Sequence, residues 1–504
     1  MRRIPGVIWL LILISALVFT AGSLRVFDHF PDSVHRWRQS DCAAYTKTFY
    51  RNNTGLLTPG TFNLAGQNGR VASEFPIIYY LSAQIEKGVG EHYWVNRSIN
   101  FGLYFLGLWA LLATFTRYLF RGKRFAAFCV VALLAASPFY YYYALNFLPN
   151  VPAISLSFIG LYFLFAFREK RRWLSLLGGT LAFTLALLLK PTDGGILLGA
   201  FGLMSATLFL KKPLTGQENM RFWVGLVAAT VVVLLVNYMW IRYVNAYNDL
   251  NGNHQNLMSI YPIWDMEPDV RNYTFKRILT EWRLDFQHVL VLATLPFLLL
   301  IYVWKWRALE PRFKWLTFYV ALLTMLYSVF WFKAYTDHDY YQLPLVLPMV
   351  LGAATVIEYL SRAAGRQRLP IGRSLLATGL GALVVISVFY NGKAQQRRYA
   401  DPGHIHPVPE LYEAEAYLNS IGVTPDKIVV CAPDRSPNIS LNAINRYGYT
   451  EEFNGPFYNI NTFKERGASY LILLDTAYLS DPLYIPHIQK KAGQYGRVMV
   501  FDIR

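Results

Sequence analysis

Long apolar runs recur along most of the chain and alternate with polar segments. Runs of about 20 apolar residues are long enough to cross the hydrocarbon core of a bilayer as helices. We place such runs, several of them short for a simple span, near residues 7–24, 99–119, 126–145, 151–167, 173–189, 195–210, 222–241, 288–304, 315–332, 342–360 and 374–390. The pattern therefore predicts a polytopic α-helical membrane protein with about eleven transmembrane helices.

Basic residues concentrate in alternate loops between these runs. The chain carries 48 lysines and arginines against 31 acidic residues, a formal net charge of +17. The basic clusters are Arg2–Arg3, Arg121–Arg124, Arg168–Arg172, Lys211–Lys212, Lys305–Lys314 and Arg362–Arg373. Residues 25–97, between the first two runs, are nearly balanced instead. This positive-inside pattern predicts a cytoplasmic amino terminus and an extracytoplasmic carboxy terminus, and it accounts for the charge excess without a nucleic-acid partner.

The polar segments divide the chain into two predicted domains. Residues 1–390 form a transmembrane domain with two large outer loops, at 25–97 and 242–287. Residues 391–504 form a small extracytoplasmic α/β domain. Its predicted elements are a helix at Glu410–Ser420 and strands at Lys427–Cys431, Tyr470–Leu474 and Arg497–Ile503. Because the cytoplasmic loops are short, we expect the chemistry on the outer side.

The first outer loop holds the strongest candidate for catalysis, Asp41. It closes the sequence Trp37-Arg38-Gln39-Ser40-Asp41, whose aromatic, basic and amide side chains can orient the carboxylate and a polar ligand. A general base needs a carboxylate within hydrogen-bond reach of the proton that it removes. Residues 40–50 have helical spacing, which predicts an amphipathic helix along the membrane interface. Asp28 and Asp32 are rival carboxylates, although their aromatic and proline neighbours favour a loop turn.

Three further polar residues lie at predicted helix ends on the outer side. Glu74 precedes Pro76, so it either caps the helix that begins there or contributes to a site. Lys190 follows the fifth apolar run, where a cation either extends to the interface or binds a phosphate at headgroup level. Asn150 follows the third run and is, by itself, an ordinary loop residue.

The short loop before the tenth run is dense in polar and aromatic side chains. It contains His338, Asp339, Tyr340 and Tyr341. Aromatic faces pack on sugar rings and carboxylates accept hydrogen bonds from hydroxyls, so the loop suits a sugar-binding edge. An interfacial aromatic belt is the alternative without a ligand. A divalent metal stays open as a cofactor, although neither these residues nor the three scattered cysteines have a metal-ligand spacing.

Four pieces of the chain together resemble one family. They are the Trp-Arg-Gln-x-Asp sequence at 37–41, Glu74-Phe75-Pro76, Leu148-Pro149-Asn150 and His338-Asp339-Tyr340-Tyr341. Over residues 1–390 the chain resembles the GT-C glycosyltransferases of the protein O-mannosyltransferase and lipid A aminoarabinose transferase superfamily. Cys42 stands where many members have a second acid, which favours the bacterial branch. Asn150 stands where members usually have an acid, which removes a charge from a metal site.

The resemblance implies a sugar donor carried on a polyprenyl phosphate, used on the outer face of a bacterial inner membrane. It implies that Asp41 is the catalytic base or the group that orients the acceptor. Our hypothesis is that Asp41 takes the proton of an acceptor hydroxyl, with inversion at the anomeric carbon. Lys190 would then stabilise the leaving phosphate. The substrate-binding residues that we expect are Trp37, Arg38, Gln39, Glu74, Asn150, Lys190, His338, Asp339, Tyr340 and Tyr341. The acceptor stays open between a lipid-linked glycan, lipid A, a cell-wall polymer and a protein.

Two other functions fit a polytopic chain. A polysaccharide polymerase or ligase also uses a lipid-linked donor, but it would depend on a large outer loop near the last spans. A transporter usually places charged residues within its helices and has paired halves. The candidate charges here lie at the outer ends of the runs and the sequence has no internal repeat, which favours the glycosyltransferase.

Overall fold

A bundle of long helices carries a small β-sheet domain at one end. The computed structural model describes residues 6–65, 68–211, 217–253, 260–364, 372–401, 408–451 and 459–504. The predicted basic residues that lie outside the described ranges are Arg2, Arg3, Lys212, Arg366 and Arg368. The end of the bundle that bears the sheet domain is called the site end below.

The helices outside the sheet domain follow one another through the first 400 residues. They are α1 (Gly6–Ala21), α2 (Arg36–Asn52), α3 (Ile77–Val89), α4 (Tyr93–Thr114), α5 (Arg124–Ala135), α6 (Pro138–Ala144), α7 (Asn150–Lys170), α8 (Trp173–Leu189), α9 (Pro191–Lys211), α10 (Gln217–Leu250), α11 (Pro268–Arg277), α12 (Arg283–Phe286), α13 (Val289–Trp304), α14 (Pro311–Phe330), α15 (Val346–Ala364) and α16 (Arg373–Ala400). Short helical segments at Ile278–Trp282 and Asp339–Leu345 precede α12 and α15.

Seven or more membrane spans can be recognised among these helices. Within the described ranges, seven are long and apolar enough, and two sharply bent helix pairs raise the number to as many as nine. α1 and α8 are apolar but shorter. Each apolar run of the sequence falls on one of these helices or pairs. The prediction of a multi-pass helical membrane protein is confirmed.

One bend directs a cluster of tyrosines toward the site end. α5 and α6 meet at 70°. Ser137 caps α6 by accepting a hydrogen bond from the backbone N–H of Tyr140, and Pro138 occupies the first turn, where its missing N–H costs nothing. The four consecutive residues Tyr140–Tyr143 are all buried. A continuous apolar run therefore contains a capped break that supplies polar hydroxyls to the interior.

Close helix packing in the bundle depends on small residues. At Gly107 of α4, a Cβ atom would lie 2.5 Å from the Cβ of Ser155 on α7. At Gly160 of α7, it would lie 2.6 Å from the ring of Phe183 on α8. Small residues allow membrane helices to approach closely, because lipid supplies no hydrophobic force between them. The face of α13 with Phe297 is instead exposed, as expected for contact with lipid.

The carboxy-terminal domain is built on a five-stranded sheet. Its strands are β1 (Ile428–Ala432), β2 (Gly448–Tyr449), β3 (Ala468–Leu473), β4 (Lys491–Tyr495) and β5 (Val498–Asp502), and its helices are α17 (Glu415–Ser420), α18 (Ile439–Ile444) and α19 (Ile460–Glu465). The strand order is β2-β1-β3-β5-β4, with β1 parallel to β2 and β3, and β5 antiparallel to β3 and β4. The predicted small α/β domain is confirmed.

The first outer loop attaches this domain to the bundle. The N–H of Leu64 donates to the carbonyl of Gly448, and the N–H of Gly448 donates to the carbonyl of Phe62. The loop thus extends the sheet beyond β2. Gly448 is required there, since a Cβ would lie 2.0 Å from the carbonyl oxygen of Val429. Two regions far apart in sequence are therefore held together by backbone hydrogen bonds.

The helix bundle and the sheet domain together enclose helix α2. It begins at Arg36, earlier than the predicted stretch 40–50, and its residues from Gln39 to Phe49 are buried except Asp41, which is partly exposed. The helix is confirmed, but the prediction that it lies along the membrane interface with a polar face is wrong, because α2 is largely buried. α3 packs on one side of α2 and α18 of the sheet domain on another, so no broad polar face is left for solvent.

Candidate active site

Helix α2, the end of α8 and the sheet domain enclose a cavity of about 560 Å³ at the site end. Eight of the predicted site residues line it: Trp37, Arg38, Asp41, Glu74, Lys190, His338, Tyr340 and Tyr341. They come from four separate segments of the chain. Residues that the sequence analysis selected one by one thus meet around one space, called the first cavity below.

Glu74 and Arg38 form an ion pair in the wall of the first cavity. Nη2 of Arg38 donates to both carboxylate oxygens of Glu74 at 2.6 Å. The hydroxyls of Ser73 and Tyr79 donate to the same carboxylate at 2.7 Å. Burial alone would raise the pKa of Glu74, but the charge of Arg38 and these hydrogen bonds hold it at about 2. Glu74 is therefore ionised at neutral pH and positions Arg38, which favours a role in the site over helix capping.

Asp41 has the opposite environment on the same helix as Arg38. One oxygen accepts a 2.8 Å hydrogen bond from the Asn438 amide, and the other lies 4.0 Å from Nη1 of Arg38. Burial raises the pKa of Asp41 to about 6, against the opposing effects of Arg38 and Asn438. The carboxylate is mostly ionised at neutral pH yet able to hold a proton, which is what a general base requires.

Lys190 places a positive charge between two helices. It follows α8, and its Nζ lies 4.8 Å from the ring centre of Tyr341, a cation–π contact. Burial acts to lower the pKa of Lys190, but Tyr341, Asp193 and Glu74 together raise it above its usual value. The ammonium group is therefore charged, and it can attract a phosphate into the first cavity.

Aromatic rings form another wall of the first cavity. The rings of Trp37 and His338 are stacked, with 5.6 Å between centres, and those of Tyr340 and Tyr341 are stacked at 5.0 Å. Burial and the neighbouring His35 and Lys190 lower the pKa of His338 to about 4, so the imidazole is neutral at pH 7. A flat, neutral wall beside ionised groups suits a sugar ring, whose faces are apolar and whose edges carry hydroxyls.

Three predicted site residues lie outside the lining of the first cavity. The Gln39 amide donates to the carbonyls of Asp32 and Val34. The Asn150 amide donates to Asp193 at 2.5 Å. Their contacts support the loop before α2 and the start of α7, rather than a ligand in this space.

The third such residue, Asp339, is held between two elements. Its carboxylate lies 2.8 Å from Nε2 of His35 and accepts a hydrogen bond from the hydroxyl of Tyr143 on α6. It thereby joins the residues just before α2 to the bent helix pair. Asp339 lines a different space, described further below.

The sequence analysis named no site residue in the sheet domain, although this domain contributes to the first cavity. Pro437 and Asn438 line the first cavity, and Asn438 is 397 positions from its partner Asp41. Asp434 holds their loop by accepting from the backbone N–H groups of Ser436 and Ser440 at 2.8 and 2.9 Å. Nothing local in the sequence predicts which distant helix such a loop meets.

A metal site receives no support from a residue cluster. Throughout the described ranges, no group of three His, Cys, Asp or Glu side chains is arranged to hold a metal ion. The divalent metal considered from the sequence stays a prediction.

Comparison with known proteins identifies the fold. A family model described as dolichyl-phosphate-mannose-protein mannosyltransferase matches residues 74–240. A comparison with curated protein sequences gives no significant match. The structure is similar to that of ArnT from Cupriavidus metallidurans bound to undecaprenyl phosphate, with a TM-score of 0.63, 12% identity and 98% of each chain covered.

Two other solved structures share the arrangement. The R1389S mutant of the arabinofuranosyltransferase AftD from Mycobacteria has a TM-score of 0.58 and 14% identity over 98% of this chain and 41% of AftD. The oligosaccharyltransferase of Archaeoglobus fulgidus has a TM-score of 0.55 and 10% identity over 91% of this chain and 69% of its own. The chain therefore has the fold of the GT-C glycosyltransferases, and its resemblance to the superfamily of protein O-mannosyltransferases and ArnT is confirmed.

Proposed function

We propose that this protein is a membrane glycosyltransferase that moves a sugar from a polyprenyl phosphate to an acceptor hydroxyl. The observation that carries the proposal is the first cavity, where Asp41, with a pKa of about 6, and the charged Lys190 line one space. ArnT, which has the same fold, was crystallised with undecaprenyl phosphate. That ligand supports a lipid-phosphate donor for the present chain.

The proposed reaction is a direct displacement. The acceptor oxygen attacks the anomeric carbon and inverts it, while its proton passes to the carboxylate of Asp41. The bond between the anomeric carbon and the phosphate oxygen breaks, and polyprenyl phosphate leaves with the electron pair. Phosphate is a stable anion, so it needs a cation more than an acid. Lys190 supplies that cation in a poorly hydrated site, where electrostatic stabilisation is strongest.

Arg38 and Glu74 support this base without reacting themselves. Glu74 accepts two hydrogen bonds from one guanidinium nitrogen, which leaves Nη1 of Arg38 on the side of Asp41. The positive charge there opposes the effect of burial on the pKa of Asp41. Without it, the pKa of Asp41 would be higher, and less of the carboxylate would be ionised at neutral pH.

The orientation in the membrane follows from charge. The loops at the end opposite the site include the basic clusters Arg121–Arg124, Arg168–Arg172 and Lys305–Lys314. Positive loops remain in the cytoplasm. The site end then faces outward, as part of the proposal, and the family resemblance suggests the inner membrane of a bacterium.

Transfer from a radiolabelled undecaprenyl-phosphate sugar tests the proposal. We expect Asp41→Asn to lower kcat by a factor of about 10² to 10⁴, the usual contribution of a general base. Lys190→Gln should raise the KM for the donor by about tenfold, since a hydrogen bond to a charged group is lost. It should also lower kcat, because the leaving phosphate loses the cation that stabilises its developing charge.

A matched control is Asp28→Asn, because Asp28 is an exposed carboxylate of the same loop that contacts His92 and Trp94. It should retain normal turnover. If Asp41→Asn behaves like this control, Asp41 is not the base. If the unaltered protein moves no sugar from any polyprenyl-phosphate donor, the proposed activity itself is wrong.

A further inference from the structure

A second, larger cavity of about 800 Å³ lies beside the first. Residues before α2, the segment from α11 to α12, the end of α16 and the sheet domain enclose it. The wall between the two spaces is thin. Trp37 lines both of them, and the loop of the sheet domain contributes Pro437 and Asn438 to the first cavity but Ser436 and Ile439 to the second. The second cavity therefore adjoins the first at Trp37 and at the loop of the sheet domain.

Charge in the second cavity is mixed and nearly balanced. The residues of opposite sign that line it are the arginines Arg36, Arg277, Arg397, Arg398 and Arg435 and the acids Glu281, Asp285, Asp337, Asp339, Asp401, Asp434 and Asp475. Some pair with one another, such as Arg398 with Asp285 at 3.0 Å. A polyanionic ligand would meet at least as many carboxylates as arginines, and like charges repel. The lining thus disfavours a phosphate-rich acceptor.

The same lining suits a ligand with many hydroxyl groups and no net charge. A sugar hydroxyl donates to a carboxylate and accepts from a guanidinium, so alternating acids and arginines satisfy both of its functions. Aromatic side chains complete the pattern, because Trp37, Trp282 and Tyr390 line this space as well.

We propose that the second cavity binds the acceptor, and that the acceptor is an uncharged, hydroxyl-rich glycan. This inference rests on the proposed glycosyltransferase function. Trp37 and Asp41 are four positions apart on α2 and share a face of the helix. One hydroxyl of the bound glycan passes Trp37 to reach Asp41, while the donor occupies the first cavity. The donor and the acceptor therefore reach Asp41 from two cavities that share Trp37.

Two-substrate kinetics test this assignment. Asp337→Asn and Arg397→Gln each remove one charge from the second cavity. Both residues are exposed, and neither lines the first cavity. Each change should raise the KM for an uncharged acceptor by about tenfold and leave the KM for the donor unchanged. Lys393→Gln is the control, because Lys393 is an exposed residue of α16 that does not line the second cavity. An unchanged acceptor KM in both cavity variants would overturn the proposal.

A choice of acceptors tests the chemical class. The acceptors are uncharged oligosaccharides of glucose, mannose, galactose or N-acetylglucosamine, each free or linked to a lipid, and a multiply phosphorylated glycolipid. Transfer to an uncharged glycan supports the proposal, and the free and lipid-linked forms distinguish its source. Preferred transfer to the phosphorylated lipid overturns the assignment while leaving the glycosyltransferase function intact. If the proposed glycosyltransferase function itself is wrong, the donor will lose no sugar to any of these acceptors.

Discussion

The first cavity contains two carboxylates whose environments shift their pKa values in opposite directions. Glu74 is held by Arg38, Ser73 and Tyr79, and its pKa is about 2. Asp41 has one amide donor and a more distant guanidinium, and its pKa is about 6. Two acids whose pKa values are driven apart usually have different tasks. The comparison indicates that Glu74 fixes the geometry of the site, whereas Asp41 exchanges the proton.

The largest expected contrast is that removing each carboxylate changes the stability of the protein in the opposite direction. The pKa of Asp41 is raised by folding, so its ionised form costs stability as the pH rises through about 6. The pKa of Glu74 is lowered, so its stabilising effect is present above about pH 4.5 and is lost as the pH falls through about 2. At pH 7, Asp41→Asn should raise the midpoint of thermal unfolding and Glu74→Gln should lower it.

Thermal unfolding in detergent, followed by tryptophan fluorescence, measures both midpoints. Asp28→Asn again serves as the control and should leave the midpoint unchanged. If both changes shift the midpoint in the same direction, the two carboxylates do not differ as the structure indicates. An inactive but more stable Asp41→Asn variant would also show that its loss of activity is not a folding defect.

A second prediction removes the group that the two carboxylates share. Arg38→Gln leaves the buried carboxylate of Glu74 without its cation, which usually costs about 3–5 kcal/mol of stability when one partner of a buried pair is lost. It also removes a charge that keeps the pKa of Asp41 down. We expect activity at pH 7 to fall at least tenfold and to recover partly at higher pH.

Measured rate profiles over pH 5 to 9 would show this recovery. The matched control is Arg121→Gln, at the opposite end of the bundle, which should change neither the profile nor the stability. A profile of Arg38→Gln that keeps the shape of the unaltered protein would mean that Arg38 does not influence the ionisation of Asp41.

The contrast between the two carboxylates could be predicted only in part from the sequence. Apolar runs predicted the spans because in lipid every backbone group must be satisfied within a helix. The place of Asp41 after the first run identified it as a candidate. Its partner Asn438 could not be predicted, because the hydrogen bond depends on how a distant domain docks. Strand β4 was also missed, since its sequence Lys491–Tyr495 lacks β-branched residues.

The smallest expected effect concerns the amide that holds Asp41. In the unaltered protein, kcat/KM should decrease as the pH is lowered through about 6, because Asp41 becomes protonated. This decrease is the acid limb of the pH profile. The hydrogen bond from Asn438 lowers the pKa of Asp41. Asn438→Ala should therefore move this acid limb upward, by about one pH unit if water does not replace the amide. The rate well above the limb should change only a few-fold, because the base itself is intact.

Two further variants separate this electrostatic effect from a general loss of structure in the sheet domain. Asn438→Asp places a like charge beside Asp41, so the limb should move further upward than with alanine. Asn461→Ala changes an exposed residue of the same domain and should leave the limb in place. A uniform loss of rate across all pH values in Asn438→Ala would mean that the sheet domain only covers the site. A shifted limb would mean that it completes the base, so that the most distant part of the sequence takes part in setting the proton affinity of Asp41.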